Sequence, residues 1–178
     1  LYAVEAFRVQ KCHGKPHDLV LDEDIIKRFV SSDHQNSVML AKYESWMDGT
    51  VVELGKNDKI LKFISGKALE FERQSDYYKT VNVYKFSKDF SKNHYVPFLE
   101  AYITSFGKNS YYEEVLKIIS FLEHTDLNGY ILDSRESWYE IDDQHDLFNA
   151  EAVFGDPEER LDNLMSRYGG YWRFPEVV

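Results

Sequence analysis

Apolar positions along the chain come in two rhythms that alternate, short runs with period two and stripes with period near 3.6. Leu1 to Val9 reads as a helix with Leu1, Val4 and Phe7 on one face, and Gly14 and Pro16 break it. The apolar run LVL, residues 19–21, predicts a short buried strand. DEDIIKRFVSS follows as a helix, with Asp22 as candidate N-cap and Ile25, Ile26, Phe29 and Val30 on its apolar face. SVMLAKY (37–43) predicts a strand, and TVVELGKNDKILKFI a hairpin whose turn holds Gly55, Asn57 and Asp58. TVNVYKF (80–86) predicts a further strand, in which Asn82 faces away from Val81 and Val83.

Two amphipathic helices come next. In VPFLEAYITSF, Pro97 suits the first turn and Leu99, Tyr102, Ile103 and Phe106 share a face. In SYYEEVLKIISFLEH, Ser110 and Glu113 form a capping box, and Tyr111, Tyr112, Val115, Ile118, Ile119 and Leu122 line one stripe. Strands GYILD and WYEI follow, then a helix from about Asp143 with Leu147, Ala150 and Phe154 apolar. A last helix starts at Asp156-Pro157 and ends at Gly169-Gly170. Strands alternating with helices predict an α/β fold with a mixed sheet.

Composition narrows the function. The 178 residues suffice for one sizeable core, and 13 Tyr, 12 Phe and 3 Trp mark a packed domain and not a disordered tail. The net charge of −10 argues against a nucleic-acid binder, which needs a basic face. Cys12 stands alone, so no internal disulfide forms and a reducing, cytoplasmic setting fits best. No apolar run approaches the roughly 20 residues that span a bilayer. The start at Leu1, without Met or signal peptide, reads as an excerpt of a longer protein.

The densest chemistry is RESWYEIDDQHDL, residues 135–147. Read as a strand, WYEID turns Tyr139 and Ile141 into the core and sets Trp138, Glu140 and Asp142 on the other face. In open α/β sheets ligands sit at the carboxyl ends of strands, which is where Asp142 falls. A carboxylate there suits Mg²⁺, and an aromatic ring beside an acid suits an organic cation. The plain alternative is that Asp142 or Asp143 caps the next helix while Glu140 is solvated.

WYEIDDQHDLFNAE resembles the C-terminal signature of bacterial nucleotidyltransferases of the sugar-nucleotide and phosphocholine cytidylyltransferase type. KYESWMDGTVVEL, YYKTVNVYKFS and HYVPFLEAY…YYEEVLKII continue the likeness in order, over roughly residues 19–154. The resemblance implies a Rossmann-like mixed sheet flanked by helices, incomplete at the N-terminus, with residues 1–154 as a partial nucleotidyltransferase-like domain. The tail LMSRYGGYWRFPEVV is similar to the junction with a fused pyridoxal-phosphate aminotransferase of the histidinol-phosphate type. Residues 155–178 then form a helix and linker toward a missing domain, where any PLP would reside.

By this resemblance the activity is nucleotidyl transfer, with CTP the expected nucleotide and phosphocholine or a sugar phosphate the acceptor. Two acids hold Mg²⁺ against the phosphates. The second falls on Asp142, and the first follows LVL, at Asp22 or Asp24. Trp46 becomes part of an aromatic cage for a cationic headgroup, with Glu140 as counter-charge and Trp138 beside it. Trp46 equally reads as a plug for the sheet end, and Asp48 as the turn residue before Gly49. Lys79 faces an acceptor phosphate, or is a solvated surface lysine. Tyr77 and Tyr78 are explained by the core alone. A homodimer is compatible with the family, and no nucleic-acid or membrane partner is implied.

One departure from the family matters. Its Gly-rich loop, with Arg and Lys, cradles the triphosphate, and no such loop occurs in these residues. The fragment alone is therefore expected to be inactive. A degenerate, non-catalytic module of an aminotransferase fusion is the alternative, and a glycosyltransferase-type nucleotide-binding domain a third reading. His13 and His17 have helical spacing, but Gly14 and Pro16 between them spoil a zinc site. No Gly-x-Ser-x-Gly nucleophile motif and no companion for Cys12 support covalent catalysis.

Overall fold

A computed structural model of the chain describes residues 18–107, 113–122, 126–141 and 144–155. The elements run β1 (Asp18–Leu21), α1 (Glu23–Ser31), β2 (Ser37–Lys42), β3 (Thr50–Leu54), β4 (Ile60–Ser65) and β5 (Tyr77–Lys85). Then follow α2 (Lys88–Phe90), a π-helical turn (Ser91–Tyr95), α3 (Val96–Phe106), α4 (Glu113–Ser120), β6 (Asn128–Ile131), β7 (Trp138–Ile141) and α5 (Gln144–Phe154). The expected helix at residues 1–9, His13, His17, the Ser110 half of the capping box, Tyr111, Tyr112, Asp142, Asp143 and the helix after Asp156 lie outside the described residues.

The fold is mixed α/β, as the alternation of elements predicts. Five strands form one sheet in the order β4-β3-β5-β2-β6, antiparallel except for the parallel pair β2–β6. The β3–β4 hairpin matches its sequence signal. Its turn places Asn57 (φ 55°) and Asp58 (φ 58°) in the left-handed region that Asn and Asp tolerate best among side-chain-bearing residues.

Two apolar layers cover the sheet. On one face Val38, Leu40, Val52, Phe63, Tyr84 and Phe86 pack with Val115, Leu116 and Ile119 of α4, and with Phe98, Leu99 and Tyr102 of α3. The helical stripes differ slightly from those read off the sequence. Phe106 (70% exposed) and Ile118 lie outside, and Leu116 takes the inward place. On α5, Ala150 is buried while Leu147 is exposed.

On the opposite face Met39, Ala41, Val81 and Val83 meet Ile25 and Phe29 of α1 and Leu132. Here β1 departs from expectation. It is half-buried and pairs only with β7, in a separate two-stranded antiparallel ribbon. Leu19, Leu21 and Trp138 press the ribbon onto this second apolar layer. A four-residue strand cannot reveal its partner in the sequence when that partner lies more than a hundred positions away.

Candidate functional site

The register of the ribbon decides which acids can meet. Asp18 stands opposite Ile141 and Leu21 opposite Trp138. Asp22 and Asp24 therefore follow the end of the ribbon where β7 begins. At about 3.3 Å per residue, Leu21 and Ile141 are about 10 Å apart along the ribbon. Asp22 is exposed, and its side chain makes no cap bond to α1. Asp24 is also exposed and pairs with Lys27 at 3.3 Å. Both leave the sheet at the far end from Ile141, the residue that leads to position 142. Among the described residues no cluster of three or more His, Cys, Asp or Glu forms that could hold a metal ion. Asp22 and Asp24 thus join no acidic cluster among the described residues, and Asp142, their expected companion, lies outside those residues.

The alternation of β7 is the reverse of the one expected. Trp138 faces the second apolar layer, and Glu140 shares its side. The carboxylate of Glu140 reaches β5, where Lys79 Nζ donates to Oε2 at 3.4 Å and Asn82 Nδ2 donates to Oε1 at 2.9 Å. Tyr139 points the other way. Its ring lies nearly parallel to Trp46, 6.4 Å between centroids and 15° between planes, and its hydroxyl accepts from Asn149 of α5 at 3.2 Å. The inward side of β7 is occupied by the apolar layer, so the indole takes it and the phenol goes to α5.

Lys79 and Glu140, both singled out from the sequence, are brought together. Lys79 is only 4% exposed, and its ammonium also donates to Thr80 O at 2.8 Å. Gly49 (φ +96°) lies against it, since a Cβ there would fall 3.3 Å from Lys79 Nζ. The pair is therefore a part-buried tie between β5 and β7. Asp48 is exposed just before Gly49.

Trp46 and Glu140 are not brought together. Trp46 is 63% exposed, stacks on the Tyr139 side of β7, and donates from Nε1 to Glu44 Oε2 at 2.8 Å. The acid beside the indole is thus Glu44. An open, flat aromatic pair with a carboxylate at its edge suits an organic cation, by ring quadrupole and by charge.

Behind Lys79, on the other face of the sheet, lies a residue that the sequence reading gave a different task. Glu113, expected to serve a capping box, is buried at the start of α4. Its carboxylate accepts from Thr50 Oγ1 at 2.9 Å, Thr80 Oγ1 at 3.0 Å and Tyr84 Oη at 3.2 Å. Nothing in the local pattern distinguishes a helix-start Glu turned inward from one bonded to its own helix. Asn82 carried a better signal, a lone amide between valines in a strand.

Comparison with known proteins fits this architecture. No protein-family model matches the chain. Over 160 residues, 88% of the chain, it is 25% identical to the CMP-5'-(3-aminopropyl)phosphonate synthase of Streptomyces rubellomurinus. The chain spans about a quarter (25%) of the length of that curated relative. Its fold matches the crystal structure of a Bacillus anthracis protein assigned as a glucose-1-phosphate thymidylyltransferase, in complex with a sucrose. The TM-score is 0.50 at 17% identity, over 78% of this chain and 52% of that one. The fold is accordingly a Rossmann-like mixed α/β sheet of the nucleotidyltransferase kind.

Proposed function

We propose that the chain is part of a nucleotidyltransferase that moves a cytidylyl group from CTP to a small phosphorylated or phosphonate acceptor, with release of pyrophosphate. The observation that carries this reading is the likeness over 88% of the chain to a protein whose name joins CMP to an aminopropyl phosphonate. That acceptor has a phosphorus acid at one end and an amine at the other. The Trp46–Tyr139 pair with Glu44 supplies a counterpart for the amine end.

The reaction needs no protein nucleophile. A phosphorus-bound oxygen of the acceptor attacks the α-phosphorus of CTP in line. The new P–O bond forms as the bond to the bridging oxygen of pyrophosphate breaks, and pyrophosphate leaves with the electron pair. The protein's part is positioning and charge. Lys79 and Glu140 contribute by tying β7 to the main sheet. Asp142 is the proposed catalytic acid and Mg²⁺ the proposed companion ion, which would neutralise phosphate charge when bound. Asp22 and Asp24 are not included in the proposed site, since both are exposed at the end of the ribbon opposite Ile141. The fused PLP-dependent aminotransferase beyond residue 155 rests on the tail sequence alone, and so does a linker at 155–178.

The test is pyrophosphate release by the full-length protein with CTP, Mg²⁺ and a panel of aminoalkyl phosphonates, phosphocholine and sugar phosphates. Pyrophosphate with one acceptor class supports the assignment. Release of nucleoside diphosphate instead would make it a glycosyltransferase-type domain. CTP binding without turnover on any acceptor would make it a non-catalytic module.

A further inference from the structure

β5 contains an irregularity at its centre that the catalytic reading does not use. Val38 of β2 stands opposite Tyr84, yet Leu40 stands opposite Thr80. Residues 81–83 of β5 thus bulge out against Met39 alone. At the middle of the bulge Asn82 has φ 60°, the left-handed region that a strand residue with a side chain rarely adopts.

The bulge reverses one side chain. Thr80 and Tyr84 both reach Glu113 on the α4 face. In a regular strand Asn82, midway between them, would point there too. Val81 and Val83 belong to the layer on the opposite face. The left-handed backbone brings Asn82 onto that opposite face, where its amide meets Glu140 at 2.9 Å. Lys79 holds the other oxygen of the same carboxylate. Glu140 is gripped from two points of one strand, Lys79 before the bulge and Asn82 at its centre.

What this grip acts on is the β1–β7 ribbon. Among the described residues the ribbon shares no strand pairing with the five-stranded sheet. Leu19, Leu21 and Trp138 hold it by apolar packing, which is non-directional. A carboxylate held at both oxygens is directional, and it fixes the rotation and slide of the ribbon where packing alone does not.

We propose that Asn82 is a positioning residue, whose left-handed bulge exists to clamp Glu140 and so set the pose of β7. The link to catalysis rests on the proposed nucleotidyl transfer; the clamp itself does not. Retaining a strained Asn where Gly fits without strain is accounted for by the amide.

The test compares wild-type full-length protein with Asn82→Gly, Asn82→Asp and the exchanged pair Asn82→Asp/Glu140→Gln. Glycine keeps the backbone and removes the amide. Aspartate sets a second carboxylate against Glu140. The exchanged pair restores one carboxylate and one amide with donor and acceptor reversed. Hydrogen exchange at the amides of β1 and β7 is read against those of β2 and β3, together with the melting temperature and kcat/KM for pyrophosphate release. The clamp predicts exchange in the ribbon about fivefold faster or more in both single variants. It also predicts unchanged exchange in β2 and β3 and an unchanged melting temperature for Asn82→Gly. kcat/KM falls about tenfold in the single variants and recovers in part in the exchanged pair, where Glu140→Gln no longer offers Lys79 a carboxylate. Unaltered ribbon exchange in both single variants overturns the clamp. Faster exchange with unchanged kcat/KM overturns its service to the reaction. If wild type releases no pyrophosphate with any acceptor, the proposed function falls, and the exchange data still decide the clamp.

Discussion

Lys85 at the end of β5 drives its ammonium into the last turn of α1, donating to Ser32 Oγ at 2.7 Å and to Ser32 O at 2.8 Å. It also donates to Phe29 O at 3.2 Å, and it is 2% exposed. The last carbonyls of a helix have no intrahelical partner, and the helix dipole favours a cation there. Burial holds the ammonium pKa below its ordinary value, while Asp33 acts in the opposite sense. Lys85→Met keeps the stem and strips the donors, leaving buried carbonyls unpaired. The expected loss is about 3 kcal/mol of stability by urea unfolding. A change under about 1 kcal/mol would mean that water replaces the ammonium at this helix end.

Lys79 and Glu140 allow a double-mutant cycle. Lys79→Met takes the Lys79 ammonium from the carboxylate of Glu140, and Glu140→Leu sets an apolar side chain against a 5%-exposed ammonium. Each single change should cost about 3 kcal/mol, and the double variant should recover most of that loss. Strict additivity in denaturant unfolding would show that the pair contributes packing and no coupling.

Asp133, in the turn between β6 and β7, sets a pH dependence. Arg135 donates to it from Nε at 2.9 Å and from its backbone N–H at 3.0 Å. Those bonds favour the ionised form and lower the carboxyl pKa from 3.8 to about 2. A depressed carboxyl stabilises the fold above its unfolded value, and this contribution disappears as pH falls from 3.8 through about 2. Carbon-detected titration should find a midpoint near 2 in wild type, moving toward 3.8 in Arg135→Ala. Equal midpoints in the two proteins would remove Arg135 as the cause.

Much of this fold is written in local pattern, and what is not follows a physical rule. The hairpin of Thr50–Leu54 and Ile60–Ser65 declares itself by alternation and by Asn57-Asp58 at its turn. The face of a strand does not. Period two states that Tyr139 and Glu140 diverge, but only the distant layer under Trp138 decides which goes inward. Lys79 and Glu140 were legible as functional types, and their mutual contact was not, because 61 residues separate them. Asn82 shows the same limit more sharply. A regular strand turns it away from Val81 and Val83, and a bulge set by the β2 register turns it back. The two first-acid candidates are placed by the same kind of distant pairing. Asp22 follows an apolar strand as the resemblance requires, but that strand belongs to the ribbon and not to the main sheet.

The acids of the ribbon can be separated by mutation. Asp142→Asn should lower turnover roughly 100-fold or more, as expected for a group that handles developing charge. Asp22→Asn and Asp24→Asn should stay within about twofold of wild type, because both side chains are exposed beyond the far end of the ribbon. Single-turnover measurement of pyrophosphate release checks all three. A large loss in Asp22→Asn would return that residue to the site and overturn the reading of the ribbon register.

Trp46 offers the sharpest view of the acceptor. Its ring lies 63% exposed over Tyr139, with Glu44 on its indole nitrogen, and an acceptor's ammonium can approach from solvent. A cation on such a pair gains about 0.5–2 kcal/mol, equivalent to roughly 2- to 30-fold in affinity. Trp46→Ala should therefore raise KM for an aminoalkyl phosphonate by that factor and leave KM for CTP unchanged. The matching alkyl phosphonate, which lacks the amine, should show little change in KM. Glu44→Gln should move the aminated acceptor in the same direction by a smaller factor, because the exposed carboxylate is screened by water and salt. If Trp46→Ala weakens both acceptors equally, the indole is a wall of the site and not a cation platform.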